Sequence, residues 1–314
     1  YGAKLPLHRH GEGTQSLAVL MLFQAFAAAN LAEAYTSEST PILALEEPEA
    51  HLHPSAVRSL GSFLESMTGQ ILVTSHSGDL VSRVRVTALR RLYKHNGETK
   101  VGRIEIKKFA DRELQAIDYS IRLARGHYLF SRCWLLVEGE SDYRLMPLLF
   151  DIMNHPQDQV NFSIMEISQV IDKGEPLIKF AKDLGIQWFL MVDGDDAGKD
   201  YVNRATKHLE TGESLADRAM ALTHADIEHE FWHNGYADFM LKIVPTQTKK
   251  QIEVQAAGDD VKKTKELISA AIRHADGKPA FAQALAAEVK RRGKDAIPQA
   301  IKDIITRVVE LAKG

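Results

Sequence analysis

Two clusters of acidic residues, about 50 residues apart, are the part of this sequence with the clearest capacity for chemistry. Each cluster follows a short apolar run, and its acids are Glu138, Glu140 and Asp142 in the first cluster and Asp193, Asp195 and Asp196 in the second. Apolar runs of this length that stop at glycine predict buried parallel strands. Carboxylates at the carboxyl ends of parallel strands meet in the crevice where open α/β sheets bind ligands. Their mutual repulsion predicts a positive partner, and their oxygen ligands favour one or two Mg²⁺ or Mn²⁺ ions.

The composition is that of a globular protein. The 314 residues accommodate about two domains, and 45% of them are hydrophobic and 26% charged. The longest helix-like apolar stretch, Leu17–Leu31, contains Gln24 and Asn30, so we expect a buried helix there and no membrane span in the chain. The one cysteine, Cys133, excludes an internal disulfide and is typical of a reducing compartment, so we expect a cytoplasmic protein.

The distribution of charge is more informative than its total. The net charge is −3, which does not by itself indicate a nucleic-acid partner. Nine Lys or Arg residues nevertheless lie between Arg83 and Lys108, and a second basic cluster lies between Lys290 and Lys294. Basic patches beside an acidic metal site suit a polyanionic substrate such as DNA, although either patch alone is equally typical of a solvated face.

The N-terminal third contains a strand–helix–strand pattern that predicts two neighbouring parallel strands. Apolar residues 42–45 lead into the adjacent acids Glu46 and Glu47, and a second apolar strand, 70–74, ends two residues before His76. A carboxylate pair at a strand end suits the positioning of metal and water, and histidine suits hydrogen bonding to a phosphate.

These motifs, together with the loop 11–15 before the apolar helix, resemble the second half of an ABC-type ATPase domain of recombination and repair proteins. The resemblance implies that Glu46 holds the Mg²⁺ shell, that Glu47 is the catalytic residue that orients the hydrolytic water, and that His76 senses the γ-phosphate. It implies ATP with Mg²⁺ as ligand, a homodimer as the assembly, and a nucleotide site formed by Gly11, Gly13, Thr14, Gln15, Glu46, Glu47 and His76.

One element of that family is absent from the sequence. No Gly-x-x-x-x-Gly-Lys-Ser/Thr loop, which cradles the β- and γ-phosphates, occurs in the 314 residues. We expect this loop to lie upstream of Tyr1, and we expect the chain by itself to bind ATP poorly. Further along, residues 84–109 alternate around Asn96-Gly97, which predicts a β-hairpin that closes the ATPase domain.

The alternation of strands and helices in 131–236 predicts a compact parallel sheet. The segments Glu138-Gly139-Glu140-Ser141-Asp142 and Asp193-Gly194-Asp195 resemble the two metal-binding motifs of Toprim domains. A Toprim domain after an ABC-type ATPase resembles the OLD (overcoming lysogenisation defect) family of nucleases. That resemblance implies a DNA endonuclease with a two-metal site, a place in phage defence and, in one class, a helicase-like partner.

The resemblance also implies a set of site residues. Glu138, Asp193 and Asp195 would be catalytic and hold one ion, Asp142 would serve a second ion, and an acid near residue 230 would complete the set. Glu228 is our candidate for that acid and Glu230 the alternative, because only one of them can face the site from a helix. Lys278 is the candidate for a lysine that neutralises transition-state charge, with Lys294 as the alternative.

Several nearby residues are expected to have other roles. Glu140 and Asp196 are expected to cap helices or to be solvated. Ser141 is expected to cap the helix that follows the first cluster. The histidines 224, 229 and 233 lack the usual spacing of zinc ligands, so we expect them on the surface.

We therefore predict an α/β protein with four segments. These are a partial ABC-type ATPase domain at 1–110, a helical connection at 111–130, a Toprim domain at 131–236 and a helical subdomain at 237–314. Two other functions stay open: a non-catalytic DNA-binding ATPase of the recombination type, and a Toprim topoisomerase or primase. A topoisomerase would need a catalytic tyrosine in a strand-passage domain, and none is evident.

Overall fold

The computed structural model describes residues 6–26, 42–67, 69–124 and 126–313. The chain divides into two compact units. The first unit contains residues 1–90 and 117–130, and the second contains residues 91–116 and 131–314. Within the described ranges, no helix has both the length and the apolarity needed to cross a bilayer.

The first unit is built on a parallel pair of strands, β1 (Ile42–Glu46) and β2 (Gln70–Thr74). Helix α1 (Glu12–Phe26) precedes the pair, and helix α2 (Pro54–Ser66) connects its strands. Helix α2 begins with a proline at its first position. The His53 side chain caps it by accepting a hydrogen bond from the Ser55 amide. Short helix α3 (Gly78–Val81) follows, and of helix α4 (Asp111–Leu123) the residues from Ile117 onward belong to this unit. The predicted strand–helix–strand pattern is confirmed.

The expectation of a buried helix over Leu17–Leu31 is wrong where the structure describes it. Leu20 of α1 is buried, but Val19, Met21 and Leu22 are more than half exposed. Leu20 joins a small apolar cluster with Val57, Leu60, Leu64 and Leu80. Residues 27–31 lie outside the described residues.

The second unit contains a four-stranded sheet in which all strands are parallel. Its order is β6-β5-β7-β8, formed by β5 (Cys133–Val137), β6 (Phe162–Glu166), β7 (Gln187–Val192) and β8 (Ala219–Ala221). Every residue of β5 is buried. Strands covered by helices on both faces are continuously apolar, which is the pattern that predicted them. The predicted parallel sheet is confirmed.

Helices surround this sheet. Its crossover helices are α5 (Glu140–Ile152), α6 (Gln157–Val160), α7 (Glu175–Asp183) and α8 (Asp196–Thr206). After β8 come α9 (Ile227–Phe231), a π-helical turn (Trp232–Tyr236), α10 (Ala237–Ile243), α11 (Thr246–Gln255), α12 (Asp260–His274), α13 (Lys278–Arg292) and α14 (Gln299–Lys313). The C-terminal helices share one apolar core with the strands, in which Leu285 and Ile305 join Leu135 and Phe189. Burial in this core raises the pKa of the Cys133 thiol to about 12, so the thiol is inert.

The predicted hairpin is present, but its position differs from the prediction. Strands β3 (Arg90–His95) and β4 (Glu98–Arg103) flank Asn96 and Gly97, whose φ angles are 50° and 80°. The hairpin lies in the second unit and not at the end of the first. The Arg91 guanidinium donates hydrogen bonds to the carbonyl oxygens of Leu184 and Gly185, at 3.2 and 3.0 Å. Alternation predicts which strands pair, but it does not predict the surface on which the pair packs.

Candidate active site

The two acidic clusters of the sequence lie at one edge of the second unit's sheet. Strands β5 and β7 are neighbours and place Val137 opposite Met191, so the residues that follow each strand emerge together. The backbone amide of Asp193 donates a hydrogen bond of 3.2 Å to Glu138 Oε2. The fold thus joins residues that are distant in the sequence, as the parallel-strand argument predicted. We call Glu138, Asp142, Asp193, Asp195 and Glu228 the carboxylate cluster.

Asp142, in the first turn of α5, is the most deeply buried member of the carboxylate cluster. It is only 3% exposed, and its Oδ2 accepts a hydrogen bond of 3.0 Å from the Gly139 amide. Its Oδ1 has no hydrogen-bond partner among the described residues. Burial, followed by the charges of Asp193 and Glu228, raises its pKa well above the ordinary value. A buried carboxylate oxygen without a donor marks a place where positive charge is missing.

Asp193 has the same electrostatic problem. Burial, followed by the negative charges of Glu138, Asp226 and Asp195, raises the pKa of Asp193 to about 7. Burial also raises the pKa of Glu138, to which the charge of Asp195 adds. These acids destabilise one another's charged forms, so the cluster favours the binding of either protons or a cation.

Asp195 and Asp196 are adjacent but have different surroundings. Asp195 is the N-cap of α8, and its Oδ1 accepts a hydrogen bond of 2.9 Å from the Gly198 amide. Asp196 is almost fully exposed and pairs with Lys199 at 2.8 Å. The structure therefore separates Asp196 from the cluster, and Glu140 likewise faces outward, 3.7 Å from Arg144.

Helix α9 presents its two glutamates to different partners. Glu228 is 5% exposed, and its Oε1 accepts a hydrogen bond of 2.5 Å from the Ser141 hydroxyl. Glu230 is 3% exposed and accepts hydrogen bonds from the amides of Thr223 and His224, each at 3.1 Å. Glu228 therefore turns toward the first turn of α5, while Glu230 holds the loop before α9 in place.

Ser141 does not have the capping role expected from the sequence. The N-cap of α5 is Gly139, two residues earlier than a Ser141 cap would require, and Ser141 lies inside the first turn. Its hydroxyl is used by Glu228 instead. A side chain 87 positions away in the sequence captures the donor, which local sequence patterns do not reveal.

Lys278 is placed close to the cluster. It begins α13, and its positive charge lowers the pKa of Asp226 and opposes the upward shift of Glu228. Lys294 begins a 3-10 turn, Lys294–Ala296, beyond the opposite end of α13, which is 15 residues long. The structure therefore brings Lys278, and not Lys294, to this edge.

Asp226 is a site residue that sequence reasoning missed. It caps α9, and its Oδ1 lies 2.6 Å from His229 Nδ1. Burial opposes its ionisation, but the hydrogen bonds from His229 outweigh burial and hold its pKa below the ordinary value. Its charge in turn raises the pKa of Asp193 and Glu228. A capping Asp before a short helix was the available signal.

The three histidines of this region have unequal environments. His233 is exposed, whereas His224 and His229 are half-buried and paired with Glu230 and Asp226. The rings of His224 and His233 stack with their centroids 4.4 Å apart. Of these three histidines, only His233 has the surface position that was expected.

The described ranges contain no group of three or more His, Cys, Asp or Glu side chains that could hold a metal ion as they stand. The donor chemistry of the cluster nevertheless fits a hard divalent cation. All its donor atoms are carboxylate oxygens, one of them is buried without a partner, and their charges raise one another's pKa. A divalent cation would offset this repulsion.

The first unit contains a smaller group of predicted site residues. The Glu47 amide donates a hydrogen bond of 3.0 Å to the Thr74 carbonyl, and His76 Nε2 lies 3.3 Å from Glu47 Oε1. Glu46 is the last residue of β1. A loop was expected over 11–15, but only Gly11 precedes α1, which begins at Glu12. A Cβ on Gly13 would lie 2.6 Å from the His51 carbonyl oxygen. The structure brings Glu47 and His76 together at one end of the strand pair.

Two family models match successive segments of the chain. Residues 5–127 match the family model described as "Protein of unknown function (DUF2813)". Residues 129–195 match the model described as "Overcoming lysogenization defect protein-like, TOPRIM domain". This second match contains both acidic motifs. The chain shows distant homology to the OLD family, with a DUF2813 region followed by an OLD-like Toprim domain.

Individual relatives are longer than this chain. It is 30% identical over 309 residues to "Uncharacterized protein YbjD" of Escherichia coli K12, covering 98% of this chain and 54% of that protein. It is 25% identical over 198 residues to "Old nuclease" of Escherichia phage P2, covering 60% of this chain and 33% of that protein. The chain thus spans about half of the first relative and a third of the second. The C-terminal region of the Xanthomonas campestris pv. campestris OLD protein aligns with a TM-score of 0.46 and 19% identity, covering 60% of this chain and 97% of that one.

Proposed function

We propose that this OLD-family chain is a DNA endonuclease that depends on Mg²⁺ or Mn²⁺ bound at the carboxylate cluster. The observation that carries the proposal is the convergence of mutually repelling acids, two of them (Asp142 and Glu228) buried, at the carboxyl edge of the Toprim sheet. The similarity to a protein named Old nuclease supports the choice of reaction. Buried acids with unbalanced charge in a crevice are typical of functional sites.

The residues that would hold metal are the five acids of the cluster. Glu138, Asp193 and Asp195 are suited to one ion, and Asp142 and Glu228 to a second. When bound, such ions supply an activated water and stabilise the leaving oxygen of a phosphodiester.

The chain's own residues prepare these ligands. The Gly139 amide fixes one oxygen of Asp142, and the Ser141 hydroxyl fixes one oxygen of Glu228. The Gly198 amide fixes Asp195 Oδ1. Each of these hydrogen bonds orients its carboxylate, and Asp142 Oδ1 keeps no partner among the described residues. Lys278 at the start of α13 would offset negative charge that develops on the phosphate.

The first unit would regulate this reaction and not drive it, because hydrolysis of a phosphodiester needs no energy input. In this proposal Glu47 and His76, already 3.3 Å apart, respond to ATP with Mg²⁺ in a homodimer, together with Glu46 and residues 11–15 around the start of α1. In the same proposal, a helicase-like protein is a partner of the assembly. ATP would then control access of DNA to the cluster.

The experiment is a nicking assay on supercoiled plasmid with Mg²⁺, Mn²⁺, Ca²⁺ or EDTA. We expect cleavage with Mg²⁺ or Mn²⁺, and we expect Asp193→Ala to lower it by more than the about 10–100-fold caused by changes next to metal ligands. Asp196→Ala is the matched control, because Asp196 lies on the same turn but is exposed and paired with Lys199. Equal activity of Asp193→Ala and the wild type would refute the site. DNA binding without cleavage under every metal would favour a DNA-clamping protein, and a covalent protein–DNA adduct would favour a topoisomerase.

A further inference from the structure

A left-handed turn follows β6 in the second unit. Asp172, Lys173 and Gly174 have φ angles of 50°, 57° and 75° in succession. The left-handed conformation is disfavoured for residues with a Cβ and normally occurs at single positions. Two consecutive non-glycine residues in this conformation require their surroundings to enforce it, and such strain concentrates at functional sites.

Contacts on both sides enforce the turn. The Asp172 carboxylate lies 3.2 Å from the Arg112 guanidinium and 3.7 Å from that of Arg204. Gly174 packs against Ile167 so closely that a Cβ would lie 2.9 Å from its Cδ1. Lys173 lies between these two anchored residues, so its backbone direction is fixed by its neighbours.

The Lys173 side chain has a defined direction as well. Its Nζ lies 4.5 Å from the centroid of the Tyr201 ring, a cation–π contact. Tyr201 is 4% exposed. Among the described residues, no carboxylate lies within ion-pair distance of Lys173 Nζ. The ammonium is therefore held in place by an aromatic face and keeps its hydrogen-bond donors for another group.

The turn lies at the same edge of the sheet as the carboxylate cluster. Glu166 at the end of β6 is opposite Val137, and the Ile167 amide donates a hydrogen bond of 2.9 Å to the Val137 carbonyl. The segment after β6 therefore leaves the sheet beside Glu138. Burial, and then the charges of Glu138 and Asp193, raise the pKa of Tyr201 to about 12, so the ring under Lys173 is close to the acids.

From this geometry we propose that Lys173 is a substrate-positioning residue whose ammonium binds a DNA phosphate beside the carboxylate cluster. The inference rests on the proposed nuclease function and adds a residue that lies outside both acidic motifs. A phosphate that approaches this cluster is repelled by its acids, so a cation fixed at the rim gives the polyanion a favourable point of entry. Lysine suits this task because it is a compact charge with three donors.

The alternative is that Lys173 only balances the charge of Glu138, which its position also does. The two roles differ in their effect on DNA. A phosphate contact contributes to affinity and to its salt dependence, whereas a purely structural charge contributes to neither.

The test measures binding of a labelled DNA duplex in Ca²⁺ over a range of KCl concentrations, with nicking kinetics in Mg²⁺. Lys173→Met keeps the aliphatic stem over Tyr201 and removes the charge. Lys207→Met is the matched control, because Lys207 is an exposed lysine at the far end of α8. For Lys173→Met we expect about 3- to 10-fold weaker binding and a salt slope smaller by about 1, with KM affected more than kcat. Lys173→Arg restores binding, and Lys207→Met equals the wild type.

Each outcome is decisive for one of the two proposals. Unchanged affinity and salt slope in Lys173→Met overturn the role of Lys173, even if Asp193→Ala shows that the nuclease site is correct. If the wild type binds DNA but does not nick it, the proposed nuclease function is refuted. The salt dependence of binding by Lys173→Met then still tests the phosphate contact of Lys173. A wild type that does not bind DNA overturns both. If Lys173→Met does not fold, Lys173→Gly replaces it, since glycine adopts this φ without strain.

Discussion

Asp193 connects the proposed activity with the stability of the protein. Its carboxyl group is surrounded by other acids and has a pKa near 7 in the folded chain, against 3.8 for an ordinary aspartate. The unfolded chain therefore releases this proton at lower pH than the folded chain does. Stability from this group is present below pH 3.8, falls as the pH rises from there to about 7, and stays low above that. Removal of the charge by Asp193→Asn is expected to stabilise the metal-free protein at pH 8.

The magnitude follows from the same numbers. A difference of about 3 pH units corresponds to an upper limit of ~4 kcal/mol, at ~1.4 kcal/mol for each unit. Asp193 is only half-buried, and solvent screening reduces this to ~1–2 kcal/mol. The melting temperature of Asp193→Asn in EDTA should therefore rise by about 2–6 °C at pH 8 and by much less near pH 4.

The assay is thermal unfolding in EDTA and in Mg²⁺, at both pH values. Because a cation that binds the folded state raises its stability by mass action, Mg²⁺ should stabilise the wild type, and Asp193→Asn should lose most of that increment. Asp196→Asn is the control, since Asp196 is exposed and its pKa is lowered by a hydrogen bond from Lys199. A variant Asp193→Asn that is no more stable than the wild type in EDTA at pH 8 would refute the reasoning.

Two further predictions concern the loop before α9. Glu230→Gln should lower the free energy of unfolding by ~1–3 kcal/mol, because backbone amides and the His224 imidazole lose a charged acceptor. Glu228→Gln should not lower it. Equal denaturant midpoints for the two variants would contradict this prediction. Gly194→Ala should cost ~1–3 kcal/mol, since its Cβ would lie 2.4 Å from the His224 carbonyl oxygen. Gly139→Ala has its nearest atom at 3.7 Å and should cost less in the same denaturation measurement, and the opposite order would refute the packing argument.

Much of the fold follows from local patterns in the sequence. The apolar runs that end in Glu138 and Asp193 are buried parallel strands, and Asn96-Gly97 is the turn of a hairpin. These features depend on periodicity and on the conformational preferences of a few residues, which the sequence states directly. Strand direction then fixes which ends meet, so the meeting of the two acidic motifs was predictable.

Other features required the tertiary structure. The sequence left Glu228 and Glu230 as alternative site residues. The structure distinguishes them, because Glu228 accepts a hydrogen bond from Ser141 whereas Glu230 accepts one from a loop amide. The hairpin was expected on the first domain, but the carbonyls that accept the Arg91 guanidinium lie in the second unit.

Asp226 and Lys173 carry no motif, and they join the site because separate segments converge at one edge of the sheet. The physical reason is that spacing along the chain encodes strands, helices and turns, whereas the partner of a single side chain is set by segments that meet only in three dimensions. The sequence thus determined the sheet and the acids at its edge. The tertiary structure decided which acid faces which donor, and it placed Lys173 over Tyr201 at the same edge.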